Sequence, residues 1–155
     1  MSAEQFAVAK SKKFERRRVI LYTAAAIISL VGLADALYLT AEHVSGRSVR
    51  CTVISGCSEV LSSPYASLSG VPLAAVGAAA YFTVFSLAIL AAFGYRFAAT
   101  LLPLLVGLMF MVTLWLLYVQ AFVIRQFCEF CLLSAAITVM LTAIVTLVRW
   151  PPGRS

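Results

Sequence analysis

The four cysteines of the sequence form two pairs with different spacing. Cys128 and Cys131 make a C-x-x-C motif, whereas five residues separate Cys51 from Cys57. At the start of a helix, residues i and i+3 come within the Cα separation of about 4.4–6.8 Å that a disulfide needs. A helix N-terminus also lowers the pKa of a thiol placed there. The C-x-x-C pair therefore predicts a redox-active dithiol.

The Cys51–Cys57 pair needs a different backbone. Six helical steps would separate the two residues by about 9 Å, which is too far for a disulfide. The segment must therefore fold back, and Gly56 supplies the conformational freedom for this. A dithiol on such a loop can move between two reaction partners that lie on different sides of it.

Two other interpretations of the cysteines stay open. A four-span scaffold or transporter without catalytic activity, stabilised by two structural disulfides, would contain the same pairs. Four cysteines that include a C-x-x-C can also form a zinc site. The five-residue gap in the first pair argues against zinc.

The composition predicts the elements that must position these thiols. Of 155 residues, 63% are hydrophobic and 12% are charged, against about 45–50% and about 25% in a soluble domain. These values exclude a disordered chain and an ordinary soluble enzyme. A bilayer-spanning helix takes about 20 apolar residues, and four stretches qualify: 19–41, 72–92, 98–124 and 131–148.

Segments in lipid must be helices, because four strands cannot close a barrel. We therefore predict an all-α membrane protein, a four-transmembrane-helix bundle in a single four-span domain over residues 1–155. The long loop of this arrangement runs from Glu42 to Val71, between spans one and two, and contains Cys51 and Cys57.

The basic residues predict the orientation of the bundle. Three of the twelve, Arg47, Arg50 and Arg125, lie on the same side as the cysteines, and the other nine lie on the opposite side. Basic residues concentrate in the cytoplasm, so both termini are predicted to be cytoplasmic and the cysteines to lie on the outer face. Thiols outside the cytoplasm tend to be oxidised or to carry out disulfide chemistry. The nine are Lys10, Lys12, Lys13, Arg16, Arg17, Arg18, Arg96, Arg149 and Arg154.

The order of these features resembles the bacterial members of the vitamin K epoxide reductase family. The resemblance covers nearly the whole chain. It rests on the following motifs: Cys51 and Cys57, Ser58-Glu-Val-Leu-Ser-Ser63, Gly70-Val-Pro72, Gly77, Tyr81, and Cys128 with Cys131.

The resemblance implies a four-helix bundle around a quinone, such as ubiquinone or menaquinone, with the C-x-x-C at its outer mouth. It implies that Cys131 exchanges electrons with the quinone. Its disulfide partner Cys128 is then attacked by a loop thiol, Cys57. Cys51 would be the thiol that meets a thioredoxin-like partner protein.

The same resemblance indicates further residues of the quinone site. Ser63 matches a family serine near the active site. The stretch after Cys57, with Leu61 and Tyr65, resembles a short interfacial helix that caps the quinone. Vertebrate members have an asparagine at the position of Leu73 and a tyrosine at that of Ala135. Both departures remove polar contacts to the vitamin K head group and argue against the alternative of a true vitamin K epoxide reductase.

Many bacterial members carry a thioredoxin-like domain after span four. This sequence ends at Pro151-Pro-Gly-Arg-Ser155, so we expect no such domain in the chain and a redox partner that is a separate protein or was removed. Asp35 is an ionisable residue within span one and therefore a functional candidate. It either carries protons to the quinone or makes a structural polar contact.

These features together predict a quinone-dependent thiol–disulfide oxidoreductase of the bacterial cell membrane. It would pass electrons from a thioredoxin-like partner through the two cysteine pairs to the quinone, with no metal and no nucleic acid.

Overall fold

The structure is a computed structural model and describes residues 2–47, 49, 51–53 and 56–150. Three of the features used above, Arg50, the Pro151-Pro152 pair and Arg154, lie outside the described residues. Within the described ranges, four helices are long and apolar enough to cross a membrane. They are α1 (Ala3–Val44), α3 (Leu73–Ala92), α4 (Arg96–Tyr118), which continues as a π-helical segment (Val119–Ile124), and α5 (Glu129–Arg149); a short helix, α2 (Cys57–Ser62), precedes α3.

The predicted fold class is confirmed: the protein is an all-α four-span bundle with a short helix between spans one and two. The largest difference lies at the N-terminus. The helix of span one begins at Ala3 rather than near Val19, because the basic stretch before the span is also helical. Lysine and arginine are good helix formers, and the Arg18 guanidinium packs over the rings of Phe14 and Tyr22. Pro72 is the N-cap of α3 rather than a residue of its first turn.

The four long helices form a ring in which α1 packs on α3 and α5, and α4 packs on the same two helices. Far from the cysteines, this ring is filled by small and branched side chains. Ala25, Ala88 and Leu102 there are fully buried, and alanine lets helices approach closely. This packed half of the bundle contains Tyr22, Ala25, Ala26, Val84, Ala88, Ala91, Ala98, Leu102, Leu141, Val145 and Val148.

The outer surface of the bundle is apolar. Leu104 and Leu108 on α4 and Phe82 on α3 are all more than half exposed. Apolar surface on all sides of a helix bundle is unfavourable in water and is satisfied by hydrocarbon. The fold is therefore that of a multi-pass membrane protein.

The connection between α1 and α3 is compact. After α2 come a 3-10 turn (Pro64–Ala66) and a small hairpin of β1 (Ser67–Leu68) with β2 (Val71–Pro72). Strand residues Ser67 and Leu68 pair with Pro72 and Val71, respectively. The two turn residues, Ser69 and Gly70, both have positive φ, as a tight two-residue hairpin turn requires. The hairpin was not predicted from the sequence.

Candidate redox site at one end of the bundle

The fold brings all four cysteines together at one end of the bundle. Cys57 and Cys128 belong to a small buried cluster with Leu39, Val49 and Val60, and Cys51 and Cys131 pack against it. Cys57 is 1% exposed and Cys128 is 0% exposed. The two pairs, far apart in sequence, therefore share one site.

The loop pair is joined. Cys51 and Cys57 form a disulfide with a Cα–Cα distance of 5.7 Å, whereas Cys128 and Cys131 are thiols. The chain between the loop cysteines folds back as the spacing required. Cys51 is half-buried, and the next two residues, Thr52 and Val53, are exposed, so Cys51 is the member of the pair nearer to solvent.

Gly56 has φ 150°, as its predicted conformational freedom allows, and it also has a second role. A Cβ at this position would lie 2.8 Å from the Phe127 carbonyl oxygen and 3.0 Å from Gln126 Oε1. Only glycine lets the loop approach residues 126–127 so closely. Cys57 follows Gly56 directly, and Cys128 follows Phe127, so this contact brings Cys57 next to Cys128.

The C-x-x-C motif opens α5 as predicted, with Cys128 as the N-cap residue. Its N–H donates to Gln120 Oε1 at 3.2 Å, and Gln120 is buried on the π-helical segment. A hydrogen bond from the Cys131 thiol lowers the pKa of Cys128 to about 7. The N–H groups of Cys131 and Phe130 also lower this pKa, and burial opposes them. The helix start thus favours the Cys128 thiolate, as expected for a capping anion.

The side chains of the two residues between the motif cysteines contact other segments of the chain. The Phe130 ring contacts the Tyr38 ring of α1, with centroids 5.4 Å apart. Glu129 accepts hydrogen bonds from the loop: Oε1 from the Thr52 N–H at 3.0 Å and from Thr52 Oγ1 at 2.8 Å, and Oε2 from the Val53 N–H at 2.9 Å. Motif spacing alone did not predict this carboxylate contact.

Below the cysteines, the bundle lines a partly open cavity of about 260 Å³. Its wall is contributed by all four long helices and by the α2 region, and it is mainly apolar. Cys131 lies in this wall, while Cys128 does not. Cys131 thus contacts both the cysteine cluster and the cavity. We call this part of the molecule the hollow half; it comprises the cysteine cluster together with the wall segments 35–43, 60–66, 72–81, 105–124 and 131–138.

The structure places the other predicted quinone-site residues around the same cavity, namely Leu61, Ser63, Tyr65, Leu73 and Ala135. Ser63 Oγ donates to the Val60 carbonyl at 2.7 Å, which closes the end of α2. The Tyr65 ring packs edge-on against Trp115 of α4, with centroids 6.2 Å apart. The α2 region is thereby attached to α4 over the mouth of the cavity.

Asp35 also lies in the cavity wall and is 9% exposed. Its Oδ2 atom is buried and has no hydrogen-bond partner within the described part of the chain. Asp35 lies near enough to interact electrostatically with both Cys128 and Cys131. A buried carboxylate oxygen that faces a cavity without a partner indicates a polar or protonic role there.

Several polar wall residues were not predicted as site residues. The Tyr81 hydroxyl is within 2.7 Å of Ser134 Oγ and 3.3 Å of Thr138 Oγ1. Gly32 makes room for the Tyr81 ring, which a Cβ would meet at 2.5 Å. His43, near the end of α1, is exposed and contributes to the cavity wall. The sequence alone does not distinguish hydroxyl residues that line a cavity from those that pack between helices.

A four-span bundle that joins a C-x-x-C thiol pair, a loop disulfide and an apolar cavity defines a class of membrane proteins that exchange disulfides. A comparison with protein families agrees with this class: the model of the vitamin K epoxide reductase family matches residues 23–146. The chain belongs to the vitamin K epoxide reductase family. It is accordingly a membrane oxidoreductase acting on disulfides.

Proposed function

We propose that the protein moves electrons from a thioredoxin-like partner, through the loop pair and then the C-x-x-C pair, to a quinone in the cavity. The observation that carries this proposal is the spatial order of the four cysteines. Cys51 is the loop cysteine nearer to solvent, Cys57 and Cys128 are buried in one cluster, and Cys131 lies in the cavity wall.

The first exchange takes place at the surface. A reduced partner dithiol attacks the sulfur of Cys51, so that a partner–Cys51 disulfide forms and the Cys51–Cys57 bond breaks, with the electron pair on Cys57. The second partner thiol then displaces Cys51. The partner leaves oxidised, and the loop pair is left as a dithiol.

The second exchange is internal. The Cys57 thiolate attacks Cys128 of the Cys128–Cys131 disulfide, and the electron pair leaves on Cys131. Cys51 then attacks Cys57, which re-forms the loop disulfide and releases Cys128. A thiol of low pKa leaves faster, and the pKa of Cys128 is about 7. The resulting combination, a loop disulfide beside a C-x-x-C dithiol, is the one that the structure holds.

The described residues fit a quinone. The cavity wall is mainly apolar, as a hydrophobic ring and tail require, and it contains one thiol and one unpartnered carboxylate oxygen. Leu61, Ser63, Tyr65, Leu73 and Ala135 would surround the group, with Cys131 beside it. A bound quinone would supply the two-electron, two-proton acceptor for the dithiol. The chain's own residues exclude water and hold the thiols in place.

Asp35 is proposed to take up the Cys131 proton and return it within the cavity. Its unpartnered Oδ2 atom and its position on the wall support this role. We expect Asp35→Asn to lower quinone-dependent turnover by about a hundredfold, the usual contribution of a positioned acid–base group. Thiol exchange between the loop and the C-x-x-C should be unchanged in this variant. Equal loss of both reactions would indicate a structural role instead.

We further propose that the cysteine end faces the outside of a bacterial cell membrane. Arg18, Arg96 and Arg149 lie towards the opposite end of their helices, and basic residues concentrate in the cytoplasm. An outer position would keep the loop disulfide in an oxidising compartment. Labelling of single introduced cysteines by a membrane-impermeant maleimide tests this orientation.

The proposed function is tested with purified protein in detergent. Quinone-dependent oxidation of a dithiol should occur in the wild type and be lost in Cys128→Ser and Cys131→Ser. In cells, Cys57→Ala should capture a thioredoxin-like protein as a mixed disulfide with Cys51. Two disulfides that resist mild reductant and do not respond to quinone would contradict the proposal in favour of a structural scaffold. Turnover of vitamin K epoxide with dithiol would instead identify an epoxide reductase.

A further inference from the structure

The Glu129 side chain connects the two cysteine pairs. This residue lies between Cys128 and Cys131, but its carboxylate bonds to the loop, 76 and 77 positions away. Three donors of the described loop residues bond to it: two from Thr52 and the N–H of Val53, at 2.8–3.0 Å. Thr52 and Val53 directly follow Cys51. The contact therefore fixes the loop at the point where the disulfide begins.

The chemistry of this contact requires a carboxylate. Both oxygens accept hydrogen bonds, and charge-assisted bonds of this kind are stronger than neutral ones. Glu129 also occupies the first turn of α5, where the helix dipole favours a negative charge. A glutamine has one acceptor oxygen and an NH₂ group, so one of the loop N–H groups would face a donor. Glutamine is thus nearly identical in shape but cannot accept all three hydrogen bonds.

The other end of the loop is fixed independently. Gly56 packs against Gln126 and Phe127, which directly precede Cys128. Thr52, Val53 and Gly56, which adjoin the two loop cysteines, are therefore held by residues that flank Cys128 in the sequence. The side chain of Cys128 is fully buried.

We propose that Glu129 is a positioning residue that docks the loop disulfide onto the C-x-x-C motif. Docking keeps Cys57 adjacent to Cys128, which raises the effective concentration of one thiol for the other. It also covers Cys128, so that thiols from solution enter through Cys51. This inference rests on the proposed relay and adds the group that makes its internal step fast. In that step the Cys57–Cys128 bond forms, the Cys128–Cys131 bond breaks, and the electron pair leaves on Cys131.

The effective concentration can be measured without quinone or partner. In the Cys51→Ala, Cys131→Ala double variant, Cys57 and Cys128 are the two remaining thiols. Equilibration with reduced and oxidised glutathione, followed by mass analysis, gives the effective concentration from the fraction of Cys57–Cys128 disulfide. Glu129→Ala loses all three hydrogen bonds, and Glu129→Gln loses one of them together with the charge that strengthens the other two. Each should lower this value by about tenfold.

Glu59→Gln is the matched control. Glu59 is an exposed carboxylate on α2, two residues after Cys57, and its replacement removes the same charge near the same thiols. We expect no change in this control. Thr52→Val removes one of the three donors while keeping the side-chain shape, and should lower the effective concentration by about threefold. This milder change keeps the proposal testable if the Glu129 variants do not fold.

The outcomes separate the two proposals. An effective concentration unchanged by Glu129→Gln, Glu129→Ala and Thr52→Val overturns the positioning role while leaving the relay intact. An equal decrease in Glu59→Gln also overturns it, because the effect would then be one of general charge. Failure of the parent double variant to form the Cys57–Cys128 disulfide overturns the relay itself and the positioning role with it.

A second measurement tests the covering of Cys128. In a Cys131→Ala variant with the loop disulfide intact, Cys128 is the single free thiol, and its rate of reaction with N-ethylmaleimide reports its accessibility. Glu129→Gln should raise this rate by about tenfold, and Glu59→Gln should not change it. An unchanged rate in Glu129→Gln would contradict the covering role.

Discussion

The two halves of the bundle are built from the same four helices, yet they are packed in different ways. In the packed half, Ala25, Ala88, Leu102 and Leu141 are completely buried, and the helices meet through small side chains. In the hollow half, the same helices leave a cavity of about 260 Å³, and the α2 region contributes to its wall. Polar and ionisable groups, such as Asp35, Gln120 and Thr138, are buried in or beside this half.

The packed half therefore contributes mainly to stability, and the hollow half provides the site for the chemistry. Close packing maximises dispersion contacts, which are the main attraction between helices in lipid. A cavity gives up some of those contacts and instead provides space and orientation for a ligand. Substitutions in the packed half should therefore change the free energy of unfolding, and substitutions in the hollow half should change activity.

The largest expected effect is the loss of a motif thiol in the hollow half. Cys131→Ser should lower quinone-dependent dithiol oxidation by about a thousandfold or more, because one sulfur of the C-x-x-C disulfide is missing. Thermal unfolding should change little, since serine is close to cysteine in size. Retention of turnover would contradict the role of Cys131, and persistence of the Cys51–Cys57 disulfide on a gel checks that the loop remains folded.

Filling the cavity should separate activity from stability. Ala135→Phe places a ring in the cavity and is expected to lower turnover by about a hundredfold through displacement of the ligand. The melting temperature should not fall. Ala136→Phe is the matched control, because Ala136 is the next residue on α5 and faces outward. Equal activity of both variants would show that the cavity is not the ligand site.

The converse test concerns the packed half. Leu102→Ala removes a completely buried side chain and should lower the free energy of unfolding by about 2–3 kcal/mol. The activity of the folded fraction should be retained. Leu104→Ala, on the lipid-facing side of the same helix at 65% exposure, should have little effect. Denaturation in mixed detergent micelles measures both, and a similar loss in the two variants would argue against dense packing around Leu102.

The smallest expected effect is a shift in the pH dependence of Cys128 alkylation. The pKa of Cys128 is lowered to about 7, mainly by the Cys131 thiol, so its thiolate fraction falls as the pH drops below that value. In Cys131→Ser, where a hydroxyl can still donate, alkylation of Cys128 should be half-maximal near pH 7. In Cys131→Ala the midpoint should move to higher pH. Identical midpoints would show that the hydrogen bond does not tune Cys128.

Much of the fold was predictable because lipid restricts the choice of structure. A hydrocarbon environment leaves backbone groups no partners except those in a helix, so apolar length alone predicted four spans close to their observed positions. The C-x-x-C at the start of α5 was likewise predictable, since its spacing suits a helix N-terminus. Leu73 and Ala135 were predicted as quinone-site residues from the family resemblance, because their side chains alone do not indicate such a role.

Other features depend on contacts between distant segments. The basic residues before span one predicted the orientation of the bundle but not that α1 begins at Ala3. The hairpin at Ser69 and Gly70, and the contact of Gly56 with Phe127, depend on backbone geometry that spacing does not encode. Glu129 sits in the most conspicuous motif of the chain, yet its loop partners lie 76 and 77 residues away.

The sequence by itself determined that the protein is a four-helix membrane bundle with two thiol pairs at one end, because hydrophobic length and residue spacing are local properties. Only the tertiary structure decided which sulfurs are neighbours and which one meets the cavity. Cys51 is the loop cysteine nearer to solvent, Cys57 and Cys128 share one buried cluster, and Cys131 lies in the cavity wall. Such an order depends on distances between segments that become fixed only when the helices pack.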